Sequence, residues 1–156
     1  MKIALIGYGK MGQAIEQIAQ VKGHEIVLRI GIENLEDFTF ENVAKADVAI
    51  EFTSPHSAVK NIKKCIDAGV AVVSGSTGWL QQWDEVRNYV TENNGALIYA
   101  SNYSIGVNLF FELNSFLAQL MSKHESYHVI LEETHHTQKR DAPSGTAITR
   151  RRCRRR

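Results

Sequence analysis

Two adjacent histidines, His135 and His136, are followed at a common spacing by two cations, Lys139 and Arg140, and then by Asp141-Ala142-Pro143-Ser144-Gly145-Thr146-Ala147. Imidazole and ammonium groups are proton donors of different strength, and both attract anions when charged. Pro143 cannot continue a helix arriving from its N-terminal side, whereas Ser144 can cap one that starts just after it. The first turn of such a helix presents unpaired N–H groups and the positive end of its dipole, which suit a carboxylate or phosphate. Residues 132–147 therefore have the makings of a site that grips an anion and delivers a proton beside it. Solvation of an ordinary surface loop accounts for the same polar residues, and spacing alone does not decide between the two. A metal site fits poorly. Neighbouring histidines on an extended chain point apart, and no cysteine or third ligand stands at a familiar spacing.

Such a loop has to be held by regular elements. Residues 127–131 read as a strand, which puts the histidines where a strand ends and a loop begins. Before it, residues 104–122 carry Val107, Phe110, Phe111, Leu113, Leu117, Leu120 and Met121 at helical spacing. The chain ahead of that helix alternates instead. Residues 2–6, 24–30, 47–52, 70–73 and 96–100 read as short apolar strands. Between them lie helical patterns: Met11, Ala14, Ile15, Ile18 and Ala19; then Val59, Ile62 and Ile66, with Lys60, Lys63 and Lys64 on the wet face; then Trp79, Trp83, Val86 and Val90. Regular β–α alternation predicts an α/β fold with a Rossmann-type, doubly wound parallel sheet, and the long helical pattern that leaves the alternation begins a second, α+β domain. The expected division is a dinucleotide-binding domain over 1–103, a partial substrate-binding domain over 104–149, and an arginine-rich tail, 150–156, foreign to the fold.

The first strand runs into Gly7-Tyr8-Gly9-Lys10-Met11-Gly12 and a helix. That context turns a weak glycine pattern into a dinucleotide fingerprint. Gly7 permits the tight turn, Gly9 lets backbone approach a pyrophosphate, and Gly12 lets helix and strand pack closely. The cofactor expected is NADH or NADPH. The fingerprint calls for an acid near the end of the second strand to hold the adenosine ribose, and Glu33 is the nearest candidate. Arg29 could favour a 2′-phosphate, but its alternation with apolar neighbours suits a solvent-facing strand residue. Small polar turns after the other strands, at Thr53, Gly75-Ser76-Thr77-Gly78 and Ala100-Ser101-Asn102-Tyr103, fall on the same edge of the sheet.

The formal net charge of +1 hides an asymmetry, because Arg150, Arg151, Arg152, Arg154, Arg155 and Arg156 supply six of the 18 cations. Without them twelve Lys and Arg face 17 Asp and Glu, and the body of the chain is mildly acidic. The terminal cations have no interleaved aromatics and no basic partner surface, so neither nucleic acid nor a membrane is expected as a partner. No apolar run approaches the length of a membrane span. Two cysteines, Cys65 in a helical pattern and Cys153 in the tail, make no disulfide framework, and a reducing cytoplasm is the expected home.

In order along the chain, Gly7 to Gly12, Gly75-Ser76-Thr77-Gly78, Ser101-Asn102-Tyr103-Ser104-Ile105-Gly106-Val107-Asn108 and His135-His136 through Ala147 together resemble the 4-hydroxy-tetrahydrodipicolinate reductase (dihydrodipicolinate reductase) family. The resemblance covers residues 1 to about 149. It implies NAD(P)H-dependent reduction of a small dicarboxylate ring, 4-hydroxy-tetrahydrodipicolinate, on the diaminopimelate route to lysine. It implies His135 and Lys139 as the catalytic proton-handling pair, and His136, Gly145 and Thr146 as substrate contacts. Gly7 to Gly12 would bind the pyrophosphate, while Gly75, Ser76, Thr77, Ala100, Ser101, Asn102 and Tyr103 would line the nicotinamide side. It also implies a homotetramer formed through the second domain. The chain departs from the family's pattern at Lys10, where an arginine is common, and at Gly31, near the usual ribose acid, which leaves NAD versus NADP open. It departs again where the arginine run replaces the rest of the second domain. An alternative expectation follows: a truncated nucleotide-binding fragment without turnover.

Overall fold

The computed structural model describes residues 1–135 together with Thr137, Pro143, Ser144 and Ala147. Two compact units divide the chain, Met1–Ala100 and Ser101–Arg156.

In the first unit, five strands form one parallel sheet: β1 (Lys2–Ile6), β2 (Glu25–Ile30), β3 (Val48–Glu51), β4 (Ala71–Ser74) and β5 (Leu97–Tyr99). Their order across the sheet is β2-β1-β3-β4-β5. Short apolar runs become parallel strands because both faces of such a sheet are covered. The helices that cover them are α1 (Lys10–Val21), the single-turn α2 (Phe40–Val43), α3 (Ala58–Asp67) and α4 (Trp83–Glu92). One face carries the larger core, where Ala4, Ile6, Ala49 and Val72 meet Val43, Ile62, Cys65 and Val86. On the other face Ile3 and Leu5 pack against Ala19 of α1. The chain leaves β1 in one direction for β2 and returns to the other side of β1 for β3. That reversal opens a crevice above the carboxyl ends of β1 and β3, the place where sheets of this kind hold ligands.

Three features differ from expectation. The stretch between β2 and β3 contains a 3₁₀ turn (Leu35–Asp37) and α2, the latter begun by Thr39, whose Oγ1 accepts a hydrogen bond from Asn42 N at 3.2 Å. Trp79 lies ahead of the helix rather than within it. A 3₁₀ turn (Leu80–Gln82) intervenes and α4 begins at Trp83, because the Trp79 indole N–H donates to Ser76 O at 2.8 Å and is drawn beneath the preceding loop. The lysines of α3 are not simply solvated. Lys63 pairs with Glu85 at 2.7 Å, and the Lys64 ammonium lies 4.6 Å from the centroid of the Phe38 ring.

The second unit begins with α5 (Ile105–Met121), capped by Ser104, whose Oγ accepts from Val107 N at 3.4 Å. Apolar residues occur around this helix, and Ile105, Leu109, Leu113 and Phe116 are each more than half exposed. The strand expected at 127–131 is not formed, and residues 128–135 have no regular structure. An extended segment becomes a strand only when a neighbour takes up its N–H and C=O groups, and none does so among the described residues. No helix among the described residues is long and apolar enough to cross a membrane.

Ile62 is fully buried in the larger core, whereas Val21 is 90% exposed at the end of α1. Ile62→Ala should cost about 2–5 kcal/mol of stability, and Val21→Ala should stay within about 0.5 kcal/mol. Denaturant unfolding of the 156-residue chain measures both, and equal midpoints would remove Ile62 from the core.

Candidate functional site

The crevice is walled first by the glycine turn. Gly7 has φ +102°, and a Cβ there would lie 2.0 Å from Phe52 O. A Cβ on Gly12 would lie 2.4 Å from Gly7 O, so the first turn of α1 packs directly on the end of β1. Gly9 differs, since a Cβ there would meet nothing within 4 Å. Gly9 is also the N-cap of α1, with no side-chain cap and no acid in the first turn. Open space opposite Gly9, facing a helix N-terminus that carries no anion of its own, fits the pyrophosphate of a dinucleotide. Lys10 and the half-exposed Met11 begin the helix beside it.

The loops after β3 and β4 form the next wall. A Cβ on Gly75 would fall 2.1 Å from the Phe52 ring, so the two loops touch with no side chain between them. Beneath them Glu51 is fully buried at the end of β3. Its Oε2 accepts from Ser74 Oγ at 2.6 Å, and its Oε1 accepts from Ser76 Oγ at 2.7 Å, from Thr53 N at 3.1 Å and from the Thr53 hydroxyl. Neighbouring Cys65 is no nucleophile: burial, then the charge of Glu51, pushes its thiol up to about 12. Thr77 follows on the same loop, and Ala100 N donates to Ser74 O at 3.3 Å where the first unit ends.

At the β2 side, Tyr8 of the glycine turn donates to Glu16 of α1, and Arg29 of β2 grips the same carboxylate, its Nε at 2.9 Å. The Arg29 guanidinium and the Tyr8 hydroxyl hold the Glu16 carboxyl below its ordinary range. Arg29 is thus bound to Glu16 rather than merely facing solvent. Sequence reasoning passed over Glu16, which reads as one polar residue on an amphipathic helix. Glu33 is exposed in the turn beyond β2. Asn34 closes that turn instead, accepting from Gly31 N and donating to Arg29 O, both at 2.8 Å.

In the second unit, Ser101, Asn102 and Tyr103 lead into α5, and Asn102 Oδ1 accepts from Ser104 N at 2.8 Å. Further on, His135 Nε2 lies 3.0 Å from Glu133 Oε2. Glu133 also accepts from Ser144 N at 2.9 Å and Ser144 Oγ at 2.6 Å, while Ser144 Oγ accepts from Ala147 N at 3.0 Å. Ser144 therefore caps the turn after Pro143 and ties it to the carboxylate beside His135. Glu133 was overlooked in the sequence. Its signal was the i, i+2 spacing to His135, which puts both side chains on one side of an extended chain. Lys139, His136, Gly145 and Thr146 lie outside the described residues. Among the described residues no three His, Cys, Asp or Glu side chains cluster to hold a metal ion.

A parallel sheet with a glycine turn at its switch point makes the first unit a Rossmann-type α/β protein. Solved structures agree on the fold, among them an NAD-binding protein from Listeria innocua at 16% identity and a TM-score of 0.53, covering 78% of this chain and 40% of that one. More specific matches come from sequence. The dihydrodipicolinate reductase N-terminus model matches residues 1–103, and the corresponding C-terminus model matches residues 106–153. The chain belongs to the dihydrodipicolinate reductase family. The 4-hydroxy-tetrahydrodipicolinate reductase of Christiangramia forsetii is 50% identical over 151 residues, which are 96% of this chain and 62% of that protein. Its counterpart in Methanobrevibacter smithii is 41% identical over 77% of this chain and 42% of its own length. A dipicolinate-bound dihydrodipicolinate reductase from Paenisporosarcina sp. TG-14 superposes with a TM-score of 0.69 at 27% identity, covering 99% of this chain and 65% of that one. The chain thus spans less than two thirds of the length of these relatives.

The Ser144 hydroxyl, then His135, then the Ser144 amide hold the Glu133 carboxyl down at about 2. Because folding depresses this pKa, the stabilisation is fully present above the ordinary carboxylate range and is lost as pH falls towards 2. Ser144→Ala should move the Glu133 titration up towards the ordinary range, read by carboxyl carbon NMR shifts. An unmoved titration would mean that the capping serine contributes nothing to it.

Proposed function

We propose that this chain carries the cofactor-binding part and the proton-handling loop of an enzyme that reduces 4-hydroxy-tetrahydrodipicolinate to tetrahydrodipicolinate on the diaminopimelate route to lysine. The observation that carries the proposal is the open space at Gly9 before the uncapped N-terminus of α1, in a chain whose family matches cover residues 1–103 and 106–153. The cofactor is NADH or NADPH, and it supplies the hydride. Gly7, Tyr8, Gly9, Lys10, Met11 and Gly12 hold its pyrophosphate, and Glu33 is the candidate for its adenosine ribose. Gly75, Ser76 and Thr77, with Ala100, Ser101, Asn102 and Tyr103, line its nicotinamide side.

The substrate is a small dicarboxylate ring. His135 and Lys139 manage the proton that must reach the ring once hydride has added, and His136, Gly145 and Thr146 hold a substrate carboxylate. The hydrogen bond that His135 Nε2 donates to the Glu133 carboxylate engages one ring nitrogen, leaving the other to exchange protons. A cap at Ser144 supports this assignment, because Ser144 Oγ accepts from Ala147 N and so marks a helix start, the kind of terminus that suits an anion. The whole protein is proposed to be cytoplasmic and homotetrameric through its second domain, and the domain division is proposed at 1–103 and 104–149, with 150–156 outside the fold.

A second reading applies to the 156 residues taken alone: nucleotide binding without turnover. It is favoured by residues 128–135, which lead into His135 without a β-ladder among the described residues. Misplacement of a catalytic group by about 1 Å can cost on the order of 10²-fold.

Gly9→Val should abolish NADH and NADPH binding in calorimetric titration while leaving the fold in place, since the added side chain meets only open space. Undiminished affinity would remove the pyrophosphate from that turn. In a chain of the relatives' full length, His135→Gln should lower kcat by roughly 10²–10⁴ with a smaller effect on KM. A wild-type kcat would rule His135 out, and full turnover by the 156-residue chain would overturn the second reading.

A further inference from the structure

The last cross-strand row of the sheet runs Ile30, Ile6, Glu51, Ser74, Tyr99 from β2 to β5. Its middle member is a carboxylate, fully buried. Burying such a group is costly unless hydrogen bonds replace its water, and an apolar residue would serve the strand as well. Four donors meet it, and all are hydroxyl or backbone groups. Thr53 belongs to the loop after β3, Ser76 to the loop after β4, and Ser74 to the end of β4 itself. The two loops are also joined directly, since Thr53 N donates to Ser76 Oγ at 2.7 Å, and Ser76 is held from its other side through the Trp79 indole. Past this row backbone bonds run on through Phe52 N to Ile6 O at 2.8 Å and Gly75 N to Glu51 O at 2.9 Å, and Glu51 with its donors carries the tie one residue further, to Thr53 and Ser76.

Those loops lie on the side of β1 opposite β2. A dinucleotide with its pyrophosphate at Gly9 and its adenosine over the end of β2 extends its nicotinamide half over them. We propose that Glu51 is a positioning residue: it sets the Thr53 and Ser76 loops for the nicotinamide half of the cofactor and touches neither cofactor nor substrate. The assignment rests on the cofactor proposal above. Glu51 acts through neutral donors on short side chains, so its hold is passed directly to the backbone of both loops.

Glu51→Gln keeps the shape of the side chain but turns one acceptor oxygen into a donor where four donors converge. The 156-residue chain and its variant are titrated with whichever of NADH and NADPH binds, and with ADP-ribose or its 2′-phosphate, which lacks the nicotinamide. Affinity for the whole cofactor should fall about tenfold, while affinity for the fragment should stay within about twofold. Ser74→Ala, which removes only the donor to Oε2, should shift the same ratio in the same direction by roughly threefold, and it decides the matter if Glu51→Gln does not fold. Equal losses for both ligands, or no loss for either, in a folded variant whose wild type binds would overturn the positioning role. A wild-type chain that binds neither NADH nor NADPH would overturn the cofactor proposal and this one with it.

Discussion

The carbonyl and ring of Phe52 are the point against which two loops are fitted. Gly7 abuts the carbonyl and Gly75 abuts the ring, each so closely that a methyl group would collide. Phe52 N in turn donates to Ile6 O at 2.8 Å, and Gly75 N to Glu51 O at 2.9 Å. The ends of β1, β3 and β4 are therefore brought together by backbone hydrogen bonds and by glycines packed on the Phe52 carbonyl and ring. Close packing at this density leaves no slack for a side chain at either glycine. The crevice takes its shape from that contact, and the space at Gly9 is open because the neighbouring glycines have drawn the chain away from it.

The three glycines of the turn show how one residue type answers different demands. Gly7 combines a left-handed backbone with a collision, Gly12 has only the collision, and Gly9 has neither. Structural need accounts for the first two. No steric contact among the described residues requires Gly9, and in a turn at a helix N-terminus a glycine with open space opposite suits the approach of a ligand. Steric bookkeeping thus separates the residues that make the turn from the one that makes room for a ligand.

Much of this was legible in the sequence. The five strands, the long helices and the glycine turn follow from apolar periodicity broken by Gly and small polar residues, since both faces of a parallel sheet must be covered. The 127–131 strand was misread because alternation specifies a face and not a partner. Helix α2 escaped because a single turn has no periodicity to detect, only the Thr39 cap. Glu51, Glu16 and Glu133 were hidden for a common reason. A charged residue reads as solvent-facing unless its donors are known, and for each of these some donors are distant, 23 and 25 residues away for Glu51, 13 for Glu16 and 11 for Glu133.

The two buried carboxylates among these, Glu16 and Glu51, meet the cost of leaving water in two ways. Glu16, at the sheet edge, takes a cation, and its partner Arg29 keeps nearly half of its side chain exposed. A guanidinium brought as deep as Glu51 would itself have to be desolvated, and the pair would regain little over apolar packing. Glu51 and Glu133 rely mainly on hydroxyl and backbone N–H donors, and the difference has a mechanical consequence. An arginine transmits position through a long, rotatable side chain, so the Glu16 pair fixes side chains more than backbone. A serine or threonine hydroxyl stands one carbon from its Cα, and a backbone N–H is the chain itself. Carboxylates met by such donors fix loops. Both occur where loops are tied together: Glu51 under the loops after β3 and β4, Glu133 beside His135 and the Ser144 cap.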